Sequence, residues 1–161
     1  MAVEIVASVV SSLLSISGLS AVADGCFIYV PSLNHSFIVT LSCLDWVGII
    51  LQACMYTFVM WVYVTANRYS VSTPTYLFMG FTGFVTFFFS NILRMFTEIF
   101  ILGKVYGSVY QHYLLNWQAF EEQVGLGLML STLFALSLIS YLFLKRRLSK
   151  IPLITNIKLN Y

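Results

Sequence analysis

Residues 44–64 read LDWVGIILQACMYTFVMWVYV, and after Asp45 this stretch carries no formal charge. A helix needs about 20 apolar residues to cross a bilayer, so the stretch predicts a membrane-spanning helix. Residues 3–23, 75–102 and 124–143 form three further apolar stretches of similar length. The sequence therefore predicts an all-α integral membrane protein, a single domain with four transmembrane helices.

The composition of the chain agrees with this class. Of its 161 residues, 60% are hydrophobic and only 9% are charged, whereas a soluble domain carries about 25% charged residues. So few charges do not cover a water-facing surface. The net charge of +2 also excludes the broad basic face that nucleic acids require. The expected partner is membrane lipid, and no nucleic-acid partner is expected.

Positive charge near the C-terminus predicts the orientation of the helices. Loops rich in Lys and Arg stay in the cytoplasm, which places the basic tail 145–161 inside. Counting back through four helices puts the N-terminus inside, and the segment 25–42 and the loop 104–123 outside. Lys104 is the one charge that disagrees. The basic residues of the tail that carry this prediction are Lys145, Arg146, Arg147 and Lys150.

The first apolar stretch has a second interpretation, as a removable signal peptide. Such a peptide begins with positively charged residues, and this stretch begins with Glu4 and has no such region. We therefore expect residues 3–23 to be retained as a helix.

The outer segment between the first two helices has a β pattern. Two β-favouring runs, Phe27–Val30 and Phe37–Leu41, flank the turn-forming residues 31–36. This pattern predicts a short two-stranded hairpin over residues 25–42. An isolated hairpin is only marginally stable, so we expect it to pack on the helices or on the lipid interface.

Arg94 is the most informative polar residue of the predicted helices. Ionisable groups inside a membrane are costly and are functional candidates by default. Asn91 lies three residues earlier and therefore on the same side of the helix. The structural alternative is that Arg94 pairs with Glu98 one turn later, or extends its side chain to the membrane interface.

Cys43 ends the predicted hairpin and is expected to open the second helix. The positive end of a helix dipole stabilises a thiolate, so Cys43 is a candidate nucleophile; the alternative is an ordinary buried cysteine. Asp45 would either cap the helix or oppose thiolate formation through its negative charge. Cys54 is expected to be a packing residue. A bridge from Cys26 to Cys43 is geometrically possible and would consume the proposed nucleophile.

His112 lies in the outer loop between the third and fourth helices. Histidine is the usual general base for a cysteine nucleophile; the alternative is a histidine among the interfacial tyrosines. His35 is a weaker candidate because it lies at the hairpin tip. The predicted topology places Cys43, Arg94 and His112 at the outer face, which suggests acyl transfer through a thioester. This chemistry requires no cofactor, and no metal-binding spacing of His or Cys occurs.

The order of these residues resembles the exosortase/archaeosortase family of membrane cysteine transpeptidases. The similarity covers residues 18–143. In this range, Asp24 and Gly25 precede a β-like stretch, and Cys43 follows it at the start of a helix. The run Asn91-Ile92-Leu93-Arg94 lies late in the next helix, and His112 follows about a loop's length later. It implies Cys43 as nucleophile, Arg94 as electrostatic partner and His112 as base, on the outer face of a prokaryotic plasma membrane. The implied substrates are C-terminal sorting tails of exported proteins. Two features depart from the family: Leu44 and Asp45 follow the cysteine in place of a small residue and glycine, and about eight helices are usual.

A different class of protein has the same composition. A small non-catalytic helical subunit of a multi-subunit membrane complex is also short, aromatic-rich and poor in charge. In that interpretation Arg94 and Glu98 form an internal pair, and the partners are neighbouring membrane subunits. A transporter is less favoured because no inverted repeat is visible.

Overall fold

The computed structural model describes residues 1–67, 69, 71–105 and 117–148. It contains four helices and a small antiparallel sheet in these ranges. The helices are α1 (Ala2–Ile16), α2 (Trp46–Ala66), α3 (Thr73–Val105) and α4 (Trp117–Leu148), and the strands are β1 (Val22–Asp24), β2 (Phe27–Val30) and β3 (His35–Ile38).

Three of the four helices, α2, α3 and α4, are long and apolar enough to cross a membrane. The remaining helix, α1, has 15 residues and is only about 22 Å long at about 1.5 Å per residue. The hydrocarbon core of a bilayer is about 30 Å thick. Four helices are confirmed, but the prediction that the first one spans residues 3–23 is wrong. The N-terminus was predicted to lie inside by counting four crossings back from the C-terminus, whereas three of the described helices are long enough to cross.

A glycine ends α1 earlier than its hydropathy suggests. Gly18 has a φ of +80°, a left-handed conformation in which glycine is not strained. The N–H of Leu19 donates to the carbonyl of Leu14 (2.9 Å), and the N–H of Gly18 donates to that of Ser15 (3.1 Å). These two bonds form a Schellman motif, which terminates a helix. A count of apolar residues does not detect the end of the helix at Gly18, because the residues after Gly18 are again apolar.

The sheet has three strands in the order β1-β2-β3, not the two that were predicted. The predicted strand Phe27–Val30 is confirmed, with Ile28 paired to Phe37 and Val30 to His35. The second strand is His35–Ile38, so it begins and ends earlier than the predicted run Phe37–Leu41. Two of the three residues of the additional strand β1, Val22 and Ala23, lie within the stretch predicted to be the first helix. Ile28 and Val30 have no exposed surface, so one face of the sheet packs on the helices.

The long helix α3 connects two apolar cores. Its 33 residues extend about 50 Å, well beyond the thickness of a bilayer core. Its first half packs on α2 and α4, and its second half carries α1 and the sheet. The sheet-side core comprises Val6, Ala7, Val10, Leu14, Leu19, Ala21, Ile28, Val30, Leu33, Val39, Leu44, Ile92, Met95, Ile99 and Leu102. The bundle core comprises Ile49, Ala53, Tyr56, Met60, Val64, Met79, Phe87 and Leu144.

Hydrogen bonds attach α4 to the other two long helices. The hydroxyls of Tyr56 and Ser140 lie 2.6 Å apart, and those of Ser90 and Thr132 lie 2.8 Å apart. Such bonds hold helices together in lipid, where apolar burial does not. α4 begins at Trp117, before the predicted residue 124, and therefore adds two helical turns next to the sheet.

Candidate cysteine site between the sheet and the long helices

Cys43 lies in the turn that joins β3 to α2. Its N–H donates to the carbonyl of Thr40, and the N–H of Asp45 donates to that of Ser42, both at 3.1 Å. The helix begins only at Trp46. The expectation that Cys43 opens the helix is therefore wrong, since Cys43 lies two residues before the capping residue Asp45.

Asp45 caps α2. It has a φ of 43°, and its carboxylate accepts a hydrogen bond of 3.1 Å from the N–H of Gly48. A Cβ at position 48 would collide with the Asp45 carboxylate, so the cap favours glycine there. Of the two roles considered for Asp45, capping is the one that the contacts support.

Two side chains of α3 hold the backbone at Cys43. Asn91 Nδ2 donates to the carbonyl of Cys43 at 2.8 Å and to that of Leu44 at 3.1 Å. Arg94 Nη2 donates to the same Cys43 carbonyl at 3.3 Å, and Arg94 Nε donates to Asn91 Oδ1 at 3.0 Å. Residues predicted on one helix face thus converge on the candidate nucleophile, through its carbonyl and not through its sulfur.

Two carboxyl groups share the remaining end of the Arg94 guanidinium. Nη1 lies 3.3 Å from Glu121 Oε1 and 3.8 Å from Glu98 Oε1. The pair with Glu98 was anticipated from its spacing. Glu121 was not predicted to belong to the site, because its stretch was predicted to be a loop. In the structure this stretch forms the second turn of α4. The early start of that helix brings Glu121 to the site.

The Cys43 thiol lines a cavity of about 300 Å³, which we call the cysteine cavity. Its sulfur lies 3.3 Å from the Thr40 hydroxyl and 3.9 Å from the carbonyl of Ile38. The cavity lies between the sheet, α3 and α4. Its lining residues are Ile28, His35, Ser36, Phe37, Ile38, Val39, Cys43, Met95, Glu98, Ile99 and Glu121.

Of the two candidate histidines, His35 lies among the described residues. His112, the predicted base, lies outside the described residues. His35 is the first residue of β3, not the tip of the turn, and its ring packs edge-on against Phe37 at 4.9 Å. It is half-buried and lines the cysteine cavity together with Cys43. The pairing of β3 in the sheet brings His35 to this cavity, and the sequence around His35 alone did not predict that pairing.

The cysteines are free thiols. Cys26, Cys43 and Cys54 form no disulfide with one another, so the thiol of Cys43 remains available. Cys54 is exposed on the surface of α2, which corrects the expectation that it is a packing residue.

No family model, curated protein or solved structure matches this chain.

Changing Asn91 to aspartate is expected to destabilise the protein by about 2–3 kcal/mol, because carboxylate oxygens would face the two carbonyls that the amide now donates to. The measurement is unfolding of the helices by detergent titration. Asn67→Asp is the matched control, since Asn67 Nδ2 also donates to a carbonyl, that of Tyr63 (2.8 Å), but at an exposed position. Equal effects of the two changes would contradict the assigned role of Asn91.

Proposed function

We propose that this protein is a membrane-embedded cysteine peptidase or transpeptidase of the exosortase/archaeosortase kind, which processes C-terminal sorting tails of exported proteins through a Cys43 thioester. One observation carries the proposal. Asn91 and Arg94, on one face of α3, hold the backbone of Cys43, while its thiol lines a cavity large enough for a substrate segment.

The contacts favour a particular role for Arg94 in this reaction. Each of its three nitrogens already has a partner in Asn91, Cys43, Glu98 or Glu121. We therefore assign Arg94 and Asn91 as positioning residues that fix the nucleophile turn, instead of groups that bind the substrate carbonyl. A nucleophile that is already held in place raises the reaction rate, because its orientation costs no further entropy when the substrate reacts.

The proton of the Cys43 thiol must pass to a base before attack on the tail. His112 is the base that the family resemblance implies. His35 is the alternative, because it lines the same cavity as the thiol. Exchange of each histidine for glutamine, one at a time, separates the two: only loss of the base is expected to lower the rate of processing strongly.

The site would face the outside of a prokaryotic plasma membrane. Lys145 and Arg146 lie at the end of α4, and the positive-inside rule assigns that end to the cytoplasm. With three crossings, the same count puts the sheet and α1 on the outer side. Arg94 lies 21 residues after Thr73, about 32 Å along the helix, which corresponds to the outer boundary of a bilayer core.

The proposal is tested by trapping the thioester. Cells that make the protein are given a reporter with the C-terminal tail of one of their own exported proteins. The expected result is a hydroxylamine-sensitive adduct on the peptide that contains Cys43, detected by mass spectrometry. The peptides with Cys26 and Cys54 serve as internal controls. A reporter that is processed without any adduct at Cys43 would contradict the proposal.

The second candidate, a non-catalytic subunit of a membrane complex, is favoured by one feature. In the 18-residue apolar window of α4, which lies within residues 120–146, no residue is buried inside the chain. Lipid or a neighbouring subunit would cover it. Stable co-purification with other membrane chains, together with an unmodified Cys43 in cells that process tails, would favour this alternative.

A further inference from the structure

The last strand of the sheet, β3, has a free edge at the cysteine cavity. Within the described residues, β3 pairs with β2 and with no other strand. Five consecutive residues, 35–39, line the cavity. Because successive side chains of a strand point to opposite faces of the sheet, a cavity that contacts each residue in turn extends along the edge of the strand. Such an edge offers a row of backbone N–H and C=O groups to another chain.

The register of the sheet identifies the backbone groups at this edge. The N–H of Val39 donates to the carbonyl of Cys26 at 2.8 Å. In an antiparallel pair, only alternate residues bond to the neighbouring strand, so residues 35 and 37 bond to β2 in the same way as Val39. Ser36 and Ile38 therefore direct their N–H and C=O groups away from β2, toward the free edge.

The position of the Cys43 thiol agrees with this direction. Its sulfur lies 3.9 Å from the carbonyl oxygen of Ile38, one of the groups assigned to the edge. The thiol therefore lies at the end of β3 that leads into the Cys43 turn. A peptide paired along the edge brings one of its own carbonyl carbons next to the sulfur at that end.

The wall on the α3 side of the cavity is apolar where it faces the strand. Met95 and Ile99 line the cavity and are 6% and 5% exposed, and Ile28 and Phe37 of the sheet also line it. A strand added beside β3 directs every second side chain toward α3. Burial there favours apolar side chains at those positions.

We propose that the free edge of β3 binds the substrate as an additional β-strand, which is an extended peptide segment with an apolar side chain at every second position. The placement of the scissile carbonyl at Cys43 rests on the proposed function. Main-chain hydrogen bonds to Ser36 and Ile38 supply affinity, and the apolar wall supplies specificity, as in other domains that bind a peptide at a sheet edge.

Alkylation of Cys43 by a peptide reagent tests the edge without any turnover. The probe is acetyl-Val-Ala-Val-Ala chloromethyl ketone, whose methylene carbon bonds to the sulfur as chloride leaves and the thiol proton is lost. The full chain in nanodiscs of phosphatidylcholine is treated, and each cysteine is followed by mass spectrometry. We expect saturable alkylation of Cys43, about tenfold or more faster than by chloroacetone, which has no peptide. Cys54 is the internal control, because it is exposed and does not line the cavity.

Methylation of single backbone nitrogens in the probe separates strand pairing from apolar contact. Only alternate residues of a paired strand bond to β3. Methylation at those nitrogens should abolish the acceleration, whereas methylation at the nitrogens between them should largely retain it. Equal rates for all methylated probes, or for the unmethylated probe and chloroacetone, would overturn the proposal.

Ser36→Pro removes one N–H of the edge from the protein side. Proline is tolerated in an edge strand where the N–H points away from the neighbouring strand, so the sheet should form. Alkylation by the peptide probe should slow by about fivefold or more, since one backbone hydrogen bond is lost, while alkylation by chloroacetone stays the same.

Ala23→Pro is the matched control for this change. By the same alternation, the N–H of Ala23 in β1 points to the opposite edge of the sheet, and Ala23 does not line the cysteine cavity. Its alkylation rates should equal those of the unchanged protein, and equal slowing by the two prolines would contradict the proposal. If Ser36→Pro fails to fold, the methylated probes still decide the question.

Two combinations of results separate the strand edge from the proposed function. A trapped Cys43 thioester in cells, together with equal rates for all methylated probes, rejects the strand edge alone. Acceleration with the expected alternation, but no Cys43 adduct in a cell that processes tails, rejects the proposed function alone.

Discussion

Replacing Cys43 by alanine is expected to lower processing of a tailed reporter by about a thousandfold or more, because removal of a covalent nucleophile leaves only substrate positioning. The fold should be retained, since the hydrogen bonds of the sulfur within the described part of the chain, with Thr40 and with the carbonyl of Ile38, are weak. The expected change in the free energy of unfolding is below about 1 kcal/mol. Reporter cleavage in whole cells and detergent unfolding of the purified variant provide the two measurements.

Cys54→Ala is the matched control for this change. It removes the same atom from a neighbouring helix, at a position that is exposed and does not line the cysteine cavity. Its processing should equal that of the unchanged protein. A Cys43→Ala variant that processes the reporter at more than a small fraction of the normal rate would exclude the thioester mechanism.

Replacing Arg94 by methionine is expected to destabilise the protein by about 3–5 kcal/mol, because it leaves a buried carboxylate without its cation. Glu98 is the group left behind, at 3% exposure. The change also removes the donor to the Cys43 carbonyl at 3.3 Å, so processing should be lost. Arg94→Lys keeps the charge, but a single ammonium does not reproduce contacts made by three guanidinium nitrogens. It should be more stable than Arg94→Met and still process poorly.

A double variant separates charge burial from positioning. Adding Glu98→Gln to Arg94→Met removes the uncompensated charge and should recover much of the lost stability, while processing stays absent. Lys104→Met, at an exposed position of the same helix, is the control and should change stability by less than about 0.5 kcal/mol. Similar effects of Lys104→Met and Arg94→Met would contradict the assigned network.

Several features of the fold follow from local signals that hydropathy does not contain. The end of α1 depends on the left-handed conformation of Gly18 and on the bonds of its Schellman motif. Once the helix ends there, Val22–Asp24 becomes free to pair with β2. The mean hydropathy of a window of about 20 residues does not register a single glycine turn. The first helix was therefore predicted to be too long, and the strand β1 was missed.

The candidate site was predictable in part. Asn91, Arg94 and Glu98 share one helix face, and their spacing alone indicated that they lie together. Their target was not predictable in detail: the expectation concerned the Cys43 sulfur, whereas the contacts are to its carbonyl. Glu121 and His35 reached the site only through the early start of α4 and the pairing of β3. His112 stays a prediction.

The sequence by itself determined that the chain is apolar and poor in charge, which indicates a membrane protein, because these are properties of composition that no tertiary arrangement alters. It also determined that Arg94 needs a partner, since a charge in apolar surroundings is costly wherever the chain places it. Only the tertiary structure decided which groups meet. Asn91 and Cys43 are 48 residues apart, and Arg94 and Glu121 lie on different helices. Contacts at such separations depend on where each helix begins and how it packs, and these follow from the whole core, not from any local pattern.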